Sequence, residues 1–143
     1  QFFDNKERLA IEKKYNNAGI KHRLFGFDEN LSKNIYDFDL AITRSGASSI
    51  SELSYLNIPF LAIPFPFAKD DHQFYNAKYY EIKNSCWLIR QNDFDIARVE
   101  NLIVSLFNEK IDYFNKKENL ENISNQNTWN NVNKKLIDLI NEN

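Results

Sequence analysis

Two short stretches of the chain concentrate side chains suited to a phosphorylated, hydroxyl-rich ligand. The first is Thr43-Arg44-Ser45-Gly46-Ala47-Ser48-Ser49-Ile50-Ser51-Glu52. If a helix begins at this point, its first N–H groups have no intrahelical acceptor and favour an anion. Ser48 and Ser49 can add hydroxyl donors to phosphate oxygens. Gly46 would let the backbone turn and let a ligand come close. Glu52 follows those serines by one helical turn and shares their face. The rise between them, about 4.5–6 Å, is close to the span from a nucleotide's pyrophosphate to its ribose diol. A carboxylate there can accept both ribose hydroxyls. Ser49-x-x-Glu52 also has the form of a capping box, in which both side chains only satisfy the helix start. Taken alone, the motif fits capping more often than ligand binding.

The second stretch is Pro64-Phe65-Pro66-Phe67-Ala68-Lys69-Asp70-Asp71-His72-Gln73-Phe74-Tyr75-Asn76-Ala77. Two prolines stiffen its entry. His72, Gln73 and Asn76 fall near one another at a helix start, and imidazole and amide groups both donate and accept, which suits sugar hydroxyls. Asp70 or Asp71 is expected to cap that helix. A metal site is not expected: Asp70, Asp71 and His72 are adjacent, the only other histidine is His22, and no convergent zinc-type ligand set results.

The surrounding elements explain how both stretches could face one cleft. Asp39 to Thr43 is a short apolar run that predicts a buried strand, and Ala47 to Leu56 predicts a helix with Ile50, Leu53 and Leu56 on one side. Ile58 to Ile63 predicts a second strand, ended by Pro64 and Pro66. A helix is expected from Gln73 to Ile82, a strand from Ser85 to Ile89, and a helix from Phe94 to Phe107. Upstream, Asp4 to Asn17 predicts a surface helix stopped by Gly19, Lys21 to Phe25 a short strand, and Leu31 to Tyr36 a helix. Downstream, Ile111 to Asn127 is weakly patterned and expected to be helical in part, as solvated surface. Trp129 to Ile140 is expected to close the chain as an amphipathic helix. Alternating buried strands and helices imply an α/β fold, a parallel sheet with helices on both faces. In such folds ligands bind at the carboxyl ends of strands, where both stretches lie.

Composition sets the outer bounds. The chain has 143 residues, 43% hydrophobic and 27% charged, which suits one soluble domain. A formal net charge of −2 without a basic cluster gives no footprint for nucleic acid. The one cysteine, Cys86, excludes an internal disulfide and fits a reducing compartment. No apolar run reaches the roughly 20 residues that cross a bilayer. The start at Gln1, without Met, is expected to be a cut within a longer protein.

Residues 39–77, DLAITRSGASSISELSYLNIPFLAIPFPFAKDDHQFYNA, resemble the signature region of the lipid I N-acetylglucosaminyltransferases of bacterial cell-wall synthesis. An aspartate-led strand, an R-[SA]-G-A-S/T-x-x-x-E helix start, a P-x-x-x-[IV]-P-[FY] strand end and a D-D-H-Q-x-x-N-A helix start occur in order and at family spacing. Singly none of these is specific; together they are. A weaker resemblance covers the whole chain.

The resemblance implies a two-domain GT-B fold, with this chain a piece of the Rossmann-like C-terminal domain that binds UDP-N-acetylglucosamine. It implies that Ala47, Ser48 and Ser49, with Ile50 and Ser51 along the same helix start, meet the diphosphate. Glu52 would hold the ribose, and His72 and Gln73 the N-acetylglucosamine hydroxyls. The backbone around Phe27 and Asp28 would meet the uracil edge. Arg44, Ser45 and Gly46 belong to the motif with weaker claims on the ligand. Asn76 fits packing or capping as well as it fits binding. The implied activity is a metal-independent, cofactor-free, inverting hexosyl transfer to lipid I at the cytoplasmic face of the bacterial inner membrane. The lipid acceptor, the peripheral membrane contact and the catalytic base are expected in an N-terminal half absent from this sequence.

Two departures stand out. Phe67 occupies a position often polar in the family, and the family's glycine-rich loop at the start of this domain is missing. The piece is therefore expected to lack its sheet's first strands and to expose a sheet edge. The alternatives are a nucleotide-sugar hydrolase of pseudaminic acid synthesis, the donor subunit of a split transferase, and a non-enzymatic nucleotide-sugar-binding module.

Overall fold

A computed structural model describes residues 4–26, 28 and 34–141. They fall into two compact units, residues 1–35 and 36–143. In the first unit, α1 (Asn5–Asn17) starts at Asp4, whose carboxylate accepts from the Lys6 N–H at 3.3 Å. It ends through Gly19 at φ +65°, the left-handed position that glycine takes without strain. His22 packs against Tyr15 at a tilt, with ring centroids 5.1 Å apart. The expected strand from Lys21 to Phe25 does not form. A strand exists only by pairing, and no strand among the described residues pairs with it. The helix expected over Leu31 to Tyr36 lies mostly outside the described residues, of which Asn34 and Ile35 are helical.

The second unit is built on a parallel three-stranded sheet in the order β1 (Ala41–Thr43), β2 (Phe60–Ala62), β3 (Trp87–Leu88). Ala41 pairs with Phe60, Thr43 with Ala62, and Ala62 with Leu88. Successive strand residues point to opposite faces. Phe60, Leu61 and Ala62 are all buried, so both faces of β2 are covered, as a parallel sheet requires. On the edge strand β1, Ile42 stays 52% exposed. Two crossover helices join the strands, α2 (Ala47–Tyr55) and α3 (His72–Ile82). Because all three strands run the same way, their carboxyl ends share one side of the sheet. The loops carrying Arg44, Lys69 to Asp71 and Arg90 therefore emerge together.

The two crossover helices end in the same manner. Asn57 and Asn84 each take positive φ, 56° and 51°, just past a helix, where asparagine tolerates the left-handed turn. Three further helices follow, α4 (Ile96–Asn108), α5 (Lys110–Gln126) and α6 (Trp129–Asn141). The expected solvated surface over Ile111 to Asn127 is corrected. It forms one continuous helix that buries Lys116, Leu120 and Ile123 and packs against α2. Lys116 is tolerated inside because its ammonium donates to Asn84 Oδ1 at 2.8 Å, pairs with Asp112 at 3.4 Å and lies 5.0 Å from the Trp87 ring. α2 thus has a buried side, Ile50, Leu53 and Ser54, held between sheet and helices, and a free side.

Candidate functional site

The free side of α2 begins with unused donors. The helix starts at Ala47 with Gly46 as N-cap, no side chain caps it, and its first turn holds no acidic residue. The first intrahelical bond runs from Ile50 N–H to Gly46 C=O at 3.1 Å, so the amides of Ala47, Ser48 and Ser49 precede the ladder. Ser48 and Ser49 are exposed, and Glu52 is half-buried. At 100° per residue, Ser48 and Glu52 lie opposite the buried stripe of Ile50, Leu53 and Ser54. Among the described residues Glu52 has no ion pair and no side-chain hydrogen bond.

This geometry removes the capping box. Ser49 is the third residue of the helix rather than its cap, so Ser49 and Glu52 do not close the reciprocal pair that capping needs. It also corrects the role expected of Gly46. Its φ of −62° and ψ of 138° are open to any residue, so no sharp turn requires glycine. A Cβ built there meets no heavy atom within 4 Å, so glycine leaves open space at the helix start. Ser45 and Ile50 point inward, 0% and 1% exposed, and cannot present a side chain to a ligand. Ile50 anchors α2, and Ser45 supplies a carbonyl to the loop next door.

α3 is tied to this helix start from the other side. Asn76 donates from Nδ2 to the Ser45 carbonyl at 3.1 Å. Its side chain therefore ties α3 to the loop before α2 and does not cap its own helix. Arg44 donates from one guanidinium nitrogen to the carbonyls of Ile63 and Pro64, both at 3.1 Å, and lies 5.7 Å from the Phe65 ring centroid. β1 and β2 exits are thereby locked together. A groove of about 540 Å³ lined by Ile42, Thr43, Arg44, Ile63, Gln91 and Phe94 also lies at the carboxyl ends; of the expected site residues, only Arg44 lines it.

Within the second loop, local bonds fix what His72 and Gln73 can offer. The His72 Nδ1 lies 2.7 Å from the Lys69 carbonyl, so Nδ1 carries the proton there. In the neutral ring, exposed Nε2 is then an acceptor. The Gln73 Oε1 accepts from the Phe65 N–H at 3.0 Å, which leaves its amide nitrogen free to donate. One acceptor and a pair of donors stand side by side at the start of α3. The expectation that Asp70 or Asp71 caps this helix is not met. Asp71 occupies the N-cap position at φ 52°, yet its carboxylate makes no cap bond and instead accepts from Arg90 at 2.8 Å. Arg90, together with Phe74 beneath its guanidinium at 3.6 Å, was not singled out in the sequence. It lies after the third strand, outside both stretches, and no spacing signal marks it.

Phe27 lies outside the described residues. Asp28 belongs to the first unit, where it accepts from Asn34 Nδ2 at 2.6 Å and pairs with Arg23 at 3.4 Å.

A parallel sheet with flanking helices, whose strands' carboxyl ends share one side with a bare helix start, is a Rossmann-like frame. Comparison with known proteins agrees. Residues 3–135 match the glycosyltransferase family 28 C-terminal domain, and the chain belongs to that family. It is 40% identical over 134 residues to the UDP-N-acetylglucosamine--N-acetylmuramyl-(pentapeptide) pyrophosphoryl-undecaprenol N-acetylglucosamine transferase of Pelagibacter ubique (strain HTCC1062), covering 94% of this chain and 38% of that protein. The enzyme of the same name from Sulfurovum sp. (strain NBC37-1) is 40% identical over 93 residues, 65% of this chain and 28% of its own length. The crystal structure of Acinetobacter baumannii MurG superimposes with a TM-score of 0.74 at 22% identity, over 99% of this chain and 42% of that one. That likeness supports the fold. The chain thus spans well under half the length of these relatives.

Proposed function

We propose that the chain is the donor-binding part of a transferase that moves N-acetylglucosamine from UDP-N-acetylglucosamine to lipid I, forming lipid II. The observation that carries this is the outward face of α2: amides that precede the helical ladder, exposed Ser48 and Ser49, and one turn on Glu52, unpaired among the described residues. The amides of Ala47, Ser48 and Ser49 would receive the diphosphate, Ser51 would flank it, and Glu52 would accept the ribose hydroxyls. His72 Nε2 and the Gln73 amide would meet the sugar.

In the transfer, the acceptor's hydroxyl oxygen bonds the anomeric carbon on one face while the bond to the diphosphate oxygen breaks on the other. UDP leaves with the electron pair, and the hydroxyl proton goes to a base outside this chain. Charge grows on the leaving diphosphate, and preorganised N–H groups stabilise it. One such donor contributes about 3 kcal/mol to the barrier in comparable oxyanion sites. The acceptor and the membrane contact, at the cytoplasmic face of the inner membrane, are assigned to sequence outside this chain. No helix among the described residues is long and apolar enough to cross a membrane.

The test is turnover by the intact gene product of UDP-N-acetylglucosamine with a lipid I analogue. Lipid II formation is expected. UDP release that does not depend on acceptor would support the nucleotide-sugar hydrolase instead.

A further inference from the structure

Arg90 lies in neither stretch, yet it grips the residues on both sides of His72 and Gln73. Its NH2 donates to Asp71 Oδ2 at 2.8 Å, and its guanidinium carbon sits 3.6 Å from the centroid of the Phe74 ring. Asp71 precedes His72, and Phe74 follows Gln73. The loop between them needs holding. Asp70 and Asp71 take φ of 54° and 52° in succession, a left-handed pair that non-glycine residues seldom adopt. The turn's other ties are local: the Asp71 N–H donates to Ala68 C=O at 3.0 Å, the His72 N–H and Nδ1 both reach Lys69 C=O, and Gln73 Oε1 accepts from the Phe65 N–H. The Asp71 carboxylate, which could have capped α3, is spent on Arg90.

We infer that Arg90 is a positioning residue for the sugar-reading loop, acting through Asp71 and Phe74 to hold His72 and Gln73 in place. This rests on the donor role proposed above. The ion pair is 47% and 36% exposed at its two side chains, and alone it is a weak tie. Stacking on Phe74 adds a second, geometrically strict contact, which a planar guanidinium makes and an ammonium does not reproduce. An arm from the third strand thereby fixes a loop from the second. Because Arg90 acts on the loop and not on α2, it should tune recognition of the sugar and leave recognition of the nucleotide alone.

The experiment compares Arg90→Ala, Arg90→Lys and Asp71→Ala in the intact gene product, by calorimetry with UDP-N-acetylglucosamine and with UDP. Arg90→Ala should weaken UDP-N-acetylglucosamine about fivefold and leave UDP unchanged, with Arg90→Lys in between. The Arg90→Ala/Asp71→Ala double variant should lose less than the two single losses combined, since the pair acts as one unit. Hydrogen exchange at the Asp71 and His72 amides should speed up in Arg90→Ala. Equal weakening of both ligands, or unchanged sugar-nucleotide affinity with unchanged exchange, overturns the inference. A wild type that binds neither ligand would overturn the transferase reading instead, and the exchange rates would still decide whether Arg90 orders the loop.

Discussion

The Asn76 amide donates to the Ser45 carbonyl at 3.1 Å, joining the second turn of α3 to the residue before the N-cap of α2. The two residues are 31 positions apart, and with the Arg44 bond to the Pro64 carbonyl this bond ties the two candidate ligand-reading stretches together. Asn76→Ala removes the donor and leaves a buried residue's carbonyl without it. We expect a loss of about 1 kcal/mol in stability. Affinity for UDP and for UDP-N-acetylglucosamine should fall together, because the spacing of the two helix starts is what changes. Thermal unfolding and calorimetry on the same variant check both.

Gly46→Ala separates the fold from the ligand. The backbone is unstrained for alanine and the added Cβ meets nothing within 4 Å, so only the poorer N-cap propensity is felt, at most about 1 kcal/mol. The methyl group would occupy open space at the helix start, where the diphosphate is proposed to sit. UDP affinity should drop about tenfold or more, a change of about 1.4 kcal/mol. A normally folded Gly46→Ala protein with wild-type UDP affinity would mean that the phosphates bind elsewhere.

Much of this site was legible in the sequence, for a physical reason. A short buried strand, a small-residue exit and a helix start make a local pattern, and β1, α2, β2 and α3 form within about two residues of where it predicts them. What could not be read depends on partners distant in the chain. The stretch from Lys21 to Phe25 has strand composition and, among the described residues, no strand that pairs with it. α5 hid its buried side because Lys116 occupies a core position, acceptable only through Asn84 and Asp112. Asp71 looked like a cap, and its true partner, Arg90, lies 19 residues on. The ends of α2 and α3 at Asn57 and Asn84 were readable in principle, since asparagine past a helix signals a left-handed stop.

Cys86 gives a pH-dependent handle on stability. Burial pushes its thiol up from 9.0 to about 12, against a smaller opposing pull from Lys116. In the folded protein the thiol keeps its proton up to that range, while the unfolded chain gives it up near 9.0. The unfolded state therefore binds fewer protons between these values, and stability falls as pH rises through that window. Cys86→Ala should flatten the slope of unfolding free energy against pH above 9.0. At neutral pH the native thiol should resist alkylation and react only at the rate of unfolding.

Phe60 is the test of the sheet's centre. It is 0% exposed and meets Tyr80 edge-on, with ring centroids 5.5 Å apart. Phe60→Ala should cost about 3–5 kcal/mol in stability, measured by denaturant unfolding. A cost below about 1 kcal/mol would mean that β2 is not the packed middle of the fold.

The central claim is that Glu52 holds the nucleotide's ribose, and its most direct measurement is UDP binding by calorimetry to intact wild type and Glu52→Ala. Glu52 has no ion pair or side-chain hydrogen bond among the described residues, so its loss should leave the unfolding temperature nearly unchanged. Losing a carboxylate that accepts two ribose hydroxyls should weaken UDP at least about tenfold, while 2′,3′-dideoxy-UDP, which offers it no hydroxyl, should bind both proteins alike. Equal affinity of the two proteins for UDP would contradict the account.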